Sequence, residues 1–258
     1  MKALSLFSGI GGIDLACEWA GIETVAFCER EPFPQKVLRK HWPDVPIYDD
    51  VCTLTKERLD EDGIGPIDLI HGGYPCQPFS TAGKREGEND DRHLWPEVRR
   101  LLKAIRPRWF VGENVAGHVS LGLDEVLSDL GDDGYTAKAF VIPACAVGAF
   151  HKRSRVFIVA HLNGVRVEGS SAESLLGKPR IPYRQAQPSF QDAERRHDTF
   201  ESRLCRSLHG LPDGVDRVKA LGNAVVPAQI YPILAAVKHL DDMLFARSAI
   251  VATESPRA

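Results

Sequence analysis

Apolar and polar positions follow two alternating rhythms along the first two thirds of the chain. Short apolar runs at residues 3–7, 24–28, 67–71 and 108–111 have strand length, and the stretches between them repeat apolar residues at helical spacing. The first run leads through Gly9, Gly11 and Gly12 into a helix ending near Ala20, and the second into a helix over 33–41. Ile47 and Tyr48 form a short third strand ending at Asp49-Asp50. Leu94, Val98, Leu101, Leu102 and Ile105 line one helical face and stop before Pro107. Residues 126–130 read as helix, and 136–142 and 155–160 as a β pair. Strands alternating with helices predict an α/β fold of Rossmann-like type, with a mainly parallel twisted sheet and helices on both faces.

The rhythm stops at residue 163. Residues 163–216 are rich in Ser, Arg, Gln and Pro and have few apolar periods, which predicts a small irregular lobe. Pattern returns over 217–246, where Ile233, Leu234, Val237, Leu240 and Leu244 share one face of a helix beginning near Gln229. Residues 247–258 read as a frayed tail. The expected organisation is a main domain of 1–162, the lobe, and a return to the main domain.

Composition adds limits. At 258 residues, 43% hydrophobic and 26% charged, the chain has enough material for one substantial core. No apolar stretch reaches membrane-spanning length, and the first apolar run is too short for a signal peptide, so a cytoplasmic protein without a membrane partner is expected. The six cysteines show no zinc-binding spacing and no paired pattern. Reduced thiols and no metal are expected, with Cys17, Cys28, Cys52 and Cys145 as small core side chains. Net charge is −3, unevenly distributed: residues 1–151 carry an excess of eight acids and residues 152–217 an excess of four bases. Such a basic segment suits a phosphate-contacting face, and equally a solvated loop.

Candidate chemistry recurs at the strand ends, where open α/β sheets bind ligands. The first strand is followed by Gly9, Gly11 and Gly12, the second by Glu29, the third by Asp50, the fourth by Pro75-Cys76 and the fifth by Glu113. A dinucleotide fingerprint would need a third glycine where Asp14 stands, so the pattern fits an adenosine ligand without a pyrophosphate. Glu29 would accept from the ribose and Asp50 would reach the adenine amine. The glycines could also simply make a tight turn. Cys76 lies between Pro75 and Pro78 in Gly73-Tyr74-Pro75-Cys76-Gln77-Pro78-Phe79-Ser80, and these prolines restrict the loop. A thiolate beside a carboxylic acid such as Glu113 suits attack on an electron-poor ring that is protonated as it is attacked. In His151-Lys152-Arg153-Ser154-Arg155, alternation puts Arg153 and Arg155 on one side, able to hold a phosphate or carbonyl, although a solvated edge would read the same.

These blocks, followed by Lys219-Ala220-Leu221-Gly222-Asn223-Ala224-Val225-Val226-Pro227, resemble in kind and order the DNA cytosine-5 methyltransferase family, in its small phage or restriction-modification type. The resemblance covers about residues 1–161 and 217–246 and implies a Rossmann-like methyltransferase fold with a target-recognition lobe. It implies that S-adenosylmethionine is the cofactor, held by Phe7, Ser8, Gly9, Gly11, Gly12, Glu29, Asp50, Pro75, Asn223 and Val225. Cys76 would attack C6 of a cytosine flipped out of double-stranded DNA, with Glu113 at N3, Arg155 near O2 and Arg153 supporting the catalytic loop. Gln77, Ser80, Lys84 and Arg85 in the polar loop after Cys76, and Arg180 and Arg184 in the lobe, would contact DNA; Tyr183, Gln185, Gln187, Arg195 and Arg196 are further candidates. His151 and Ser154 stand where the family usually has Gln and Glu. The protein is expected to act as a monomer, and a restriction endonuclease acting separately is a possible partner.

Two other functions share parts of this pattern. An RNA cytosine-5 methyltransferase of the tRNA-modifying branch would carry a Cys-Phe-Thr signature, and the chain has none. A catalytically silent DNA-binding relative would have lost catalytic positions that are filled here.

Overall fold

Seven strands are laid down in chain order: β1 (Lys2–Leu6), β2 (Glu23–Cys28), β3 (Ile47–Tyr48), β4 (Leu69–Gly72), β5 (Trp109–Val115), β6 (Tyr135–Pro143) and β7 (Ser154–Leu162). Six α-helices accompany them among the described residues: α1 (Gly12–Trp19), α2 (Pro32–His41), α3 (Lys56–Glu61), α4 (Trp95–Ile105), α5 (Leu123–Asp132) and α6 (Pro227–Thr253). The computed structural model describes residues 1–75, 94–120, 122–163 and 222–253, with side chains to residue 244 in the last segment. The predicted lobe, 163–216, lies outside the described residues apart from Asn163.

The strands form one sheet in the order β3-β2-β1-β4-β5-β7-β6. β1 to β5 are parallel, and β7 runs antiparallel to both β5 and β6. The central strands read as unbroken apolar runs because both their faces are covered. Leu4, Ile70, Phe110 and Ala160 pair in register and point to one face, where they meet Leu59 of α3, Val98 and Leu101 of α4 and Val126 of α5. Their neighbours Ala3, Leu69 and Trp109 point the other way, against Ile13 and Ala16 of α1 and Ile230 and Leu234 of α6. Truncating a member of the first row, such as Phe110 to Ala, should cost about 3–5 kcal/mol.

A buried acid ties α1 to the sheet. Asp14, where a dinucleotide fold wants glycine, is wholly buried and accepts from the hydroxyls of Ser5 (3.2 Å) and Thr24 (3.0 Å). His71 of β4 lies 3.4 Å from it. Burial alone would disfavour the charged imidazole, but Cys17 and Asp14 outweigh it and raise the His71 pKa. At the far end, Arg108 donates twice to Asp241 of α6, at 2.8 Å each, and Trp109 Nε1 donates to the same carboxylate. The return of the chain to the main domain is thereby fixed to β5.

Three expectations are corrected. Cys52 and Cys145 are exposed rather than core residues: Cys52 sits in the turn after β3, its N–H held by Asp50, and Cys145 in a 3-10 turn after β6. The tail expected to fray from residue 247 is helical to Thr253, with no glycine or proline between Pro232 and Thr253 to stop α6. Finally, β5 runs on to Val115, because polar Glu113 and Asn114 keep their pairing with Phe157 and Val156 of β7. Cys17 and Cys28 are buried as expected.

Candidate active site

One cavity of about 810 Å³ opens above the carboxyl ends of β1, β2, β4 and β5. Its size suits a nucleoside-sized ligand with room for a second ring. Carboxylates reach its wall from three places: Glu29 after β2, Asp50 after β3 and Glu113 in β5.

On one side, β1 is followed by Phe7, whose φ of 52° is left-handed, a strained state for a bulky residue that turns the chain sharply into the glycines. Glu29 follows β2 and accepts from the backbone N–H of Gly9 and of Glu31, both at 2.7 Å. It therefore braces the glycine turn while lining the cavity. Asp50 reaches the wall from a loop pinned by Arg100 of α4, which donates to the carbonyls of Val51 and Leu54 at 2.9 Å. Gly12 permits a long-range contact: a Cβ there would come within 2.8 Å of the Val225 carbonyl oxygen. This close approach brings the 222–226 segment over the turn, with Asn223 and Val225 on the cavity wall.

On the other side, Glu113 near the end of β5 is buried, and its Oε1 lies 2.6 Å from Nε of Arg155, also buried. The N–H is out of line for a good hydrogen bond, so the contact is an ion pair by distance. Burial pushes the Glu113 pKa up, while Arg155 and then Arg153 pull it down; the outcome is about 6, against an ordinary 4.5. Near neutral pH such a group can both hold and release a proton. A Cβ on Gly73 would lie 2.6 Å from Glu113 Oε2, so any side chain there would push this carboxylate from its place.

Of the residues expected at the cofactor, Phe7, Ser8, Gly9, Gly12, Glu29, Asp50, Pro75, Asn223 and Val225 line the cavity. Gly11 does not; the position its Cβ would take faces Trp42 and Leu38. Glu113 and Arg155 line the same cavity. Arg153 serves another place: its guanidinium donates to the carbonyls of Gly222 and of Ala224 (3.0 Å), while its own carbonyl accepts from the buried Gln229 of α6 at 3.1 Å. It ties the 222–224 segment to the start of β7. Cys76, Gln77, Ser80, Lys84, Arg85, Arg180 and Arg184, with Tyr183, Gln185, Gln187, Arg195 and Arg196, lie outside the described residues.

Sequence reasoning passed over Asn114 and Gln229. Asn114 donates from Nδ2 to the Tyr74 carbonyl at 3.0 Å, fixing the segment that leads to Cys76. Its signal was its place beside Glu113 at a strand end. Gln229 gave none, since its role is a backbone contact made 76 residues away in sequence. Among the described residues no group of three or more His, Cys, Asp or Glu side chains is placed to hold a metal. None of the described helices is long and apolar enough to cross a membrane.

A sheet in this order, with its one antiparallel strand between β5 and β6 and a nucleoside-sized cavity over its carboxyl edge, is a Rossmann-like methyltransferase fold. A family model for C-5 cytosine-specific DNA methylases matches residues 1–204, and the chain belongs to that family. Curated relatives include the Type II methyltransferase M2.BsuMI of Bacillus subtilis, 34% identical over 198 residues, covering 70% of this chain and 48% of that protein. The Type II methyltransferase M.AquIA of Picosynechococcus is 32% identical, covering 73% of this chain and 87% of that protein. The chain thus spans about half the length of the first of these and most of the second. Among solved structures, a DNMT2 triple mutant from Spodoptera frugiperda superposes with a TM-score of 0.55 at 25% identity, covering 63% of this chain and 50% of that one.

Proposed function

We propose that the protein transfers a methyl group from S-adenosylmethionine to C5 of a cytosine flipped out of double-stranded DNA. The observation that carries this reading is the buried Glu113–Arg155 pair, which shares one cavity with Glu29, Asp50 and Asn223.

The cavity's donor set fits the cofactor. Glu29 and Asp50 offer carboxylate oxygens to ribose hydroxyls and an adenine amine, Phe7 an apolar surface, and Asn223 an amide. S-adenosylmethionine, when bound, supplies an electrophilic methyl group on sulfur. The residues of the chain do the rest. Cys76, as a thiolate, adds to C6 of the cytosine while Glu113 gives its proton to N3: the C5–C6 π pair becomes a C4–C5 double bond and the C4–N3 π pair takes the proton, so the ring is a neutral enamine, nucleophilic at C5, rather than an anion. Arg155 donates to O2 and holds Glu113 in place. C5 would take the methyl group as the C–S bond of the sulfonium breaks and leaves a neutral thioether, N3 would return its proton to Glu113, and loss of the C5 proton to a base would let the electron pair of that C–H bond expel Cys76. The products are 5-methylcytosine and a free thiolate.

The phosphate backbone would be met by Lys84, Arg85, Arg180 and Arg184. Flipping the base costs a few kcal/mol, offset by contacts in the pocket. A companion restriction endonuclease would suit the Type II names of the relatives.

Bisulfite sequencing of plasmid DNA from cells expressing the protein tests the reading. The expected result is protected cytosines at one short sequence, absent with Cys76→Ala. Fully converted plasmid from cells with abundant soluble protein would contradict it.

A further inference from the structure

The strand-end acid and the segment carrying Cys76 are held together by more than the sheet. Tyr74 follows β4 and is buried, and its Oη lies 3.0 Å from Nε2 of His118. His118 belongs to the 3-10 turn Ala116–Ser120 that continues directly from β5. The two rings meet edge-on, 5.6 Å between centroids at 80°, and Tyr74 packs on Trp95 at 5.2 Å. Burial lowers the His118 pKa, so the ring is neutral, with one donor and one acceptor. Its Nδ1 is buried and has no hydrogen-bond partner. A leucine–phenylalanine pair would fill the same space without that unmet group, so the polar pair calls for an explanation in what it aligns.

What it aligns is the approach to Cys76. Gly73 and Tyr74 hold the segment after β4 against the end of β5 through three described contacts. Gly73 abuts the Glu113 carboxylate, the Tyr74 carbonyl accepts from Asn114 Nδ2 at 3.0 Å, and the Tyr74 side chain meets His118. The first two ties fix the backbone, and the third stops it rotating about them. Pro75 follows with a restricted φ, so a shift at Tyr74 passes to the next residue, Cys76, with little slack.

We propose that Tyr74 and His118 are positioning residues for methyl transfer: the bond between them holds the segment that leads to Cys76 against the end of β5, where Glu113 stands. This rests on the function proposed above. A misplacement of about 1 Å at a reacting centre can cost about a hundredfold in rate, so losing one of three ties is expected to cost about tenfold.

The test uses the whole protein and a duplex carrying 5-fluorocytosine in its target sequence, on which fluorine at C5 cannot leave and the covalent adduct accumulates. Adduct formation is timed at saturating S-adenosylmethionine, and cofactor affinity and melting temperature are measured alongside. Tyr74→Phe, which removes one oxygen and keeps the ring packing, should slow adduct formation about tenfold and leave cofactor affinity unchanged. His118→Leu should slow it equally, the double variant no further than either alone, and His118→Gln, whose amide can replace Nε2, should recover most of the loss. Adduct formation by Tyr74→Phe at the wild-type rate would overturn the proposal. So would a loss that falls on cofactor affinity and melting temperature together, since a merely structural bond would act that way. If the wild type itself forms no adduct, the proposed function fails and takes this proposal with it; if the wild type reacts and the variants match it, only this proposal fails.

Discussion

Glu29 and Glu113 are two glutamates at the ends of β2 and β5, with β1 and β4 between them in the sheet, almost equally buried at 8% and 7% exposure, and they are built for opposite tasks. Glu29 spends both oxygens on backbone N–H groups, those of Gly9 and Glu31. A carboxylate held in this way is an acceptor, which braces a turn and can share remaining lone pairs with hydroxyls. Glu113 has no backbone donor at its oxygens among the described contacts; it faces the Arg155 guanidinium at 2.6 Å, and burial outweighs that charge. The difference teaches that burial alone does not assign a role to an acid. Fixed dipoles hold one carboxylate in place, whereas a single mobile-proton balance between burial and an arginine tunes the other.

The largest expected effect breaks that balance. Arg155→Leu leaves Glu113 in the wall without its counter-charge, and loss of one member of a buried pair costs about 3–5 kcal/mol. Denaturant unfolding at pH 8 should report that loss, and it should shrink toward pH 5 as Glu113 takes a proton. A loss unchanged between the two pH values would mean the pair is not what holds Arg155.

The same conservative substitution at the two acids should then give opposite signs. Glu29→Gln places an amide N–H against a backbone N–H and loses a charge-assisted bond, so destabilisation of about 2–3 kcal/mol is expected. Glu113→Gln removes an ionisation that folding disfavours. The folded-state pKa of about 6 lies above the ordinary 4.5, so the stability linked to the protonated form is complete below 4.5 and is lost as pH rises through 6. At pH 8 the glutamine variant should accordingly be more stable than the wild type by about 2 kcal/mol, the advantage fading toward pH 5. Equal signs in paired unfolding curves would erase the distinction between the two acids.

The sequence made these sites legible unevenly, for physical reasons. Strands β1, β2 and β4 stood out because both their faces are buried, so their residues form unbroken apolar runs. The end of β5 did not, since Gly112, Glu113 and Asn114 interrupt the run while still pairing with β7. Helix α3 went unnoticed: it is six residues long, buries only Leu59, and its one local signal is the Thr55 hydroxyl accepting from the Arg58 N–H. The acids at strand ends could be read because topology alone places them there. The division of labour between Arg153 and Arg155 could not, because strand alternation says nothing of residues 222–224 folding back onto Arg153. The Tyr74–His118 bond was hidden for the same reason, joining residues 44 apart through a turn without regular pattern.

The most direct measurement of the central claim is the rate at which a 5-fluorocytosine duplex becomes covalently bound, compared among the wild type, Cys76→Ser and Glu113→Gln. The account predicts a denaturant-resistant adduct with the wild type, none with Cys76→Ser, and formation slowed about a thousandfold with Glu113→Gln although that protein is the more stable at pH 8. An adduct formed by Glu113→Gln at the wild-type rate would contradict it.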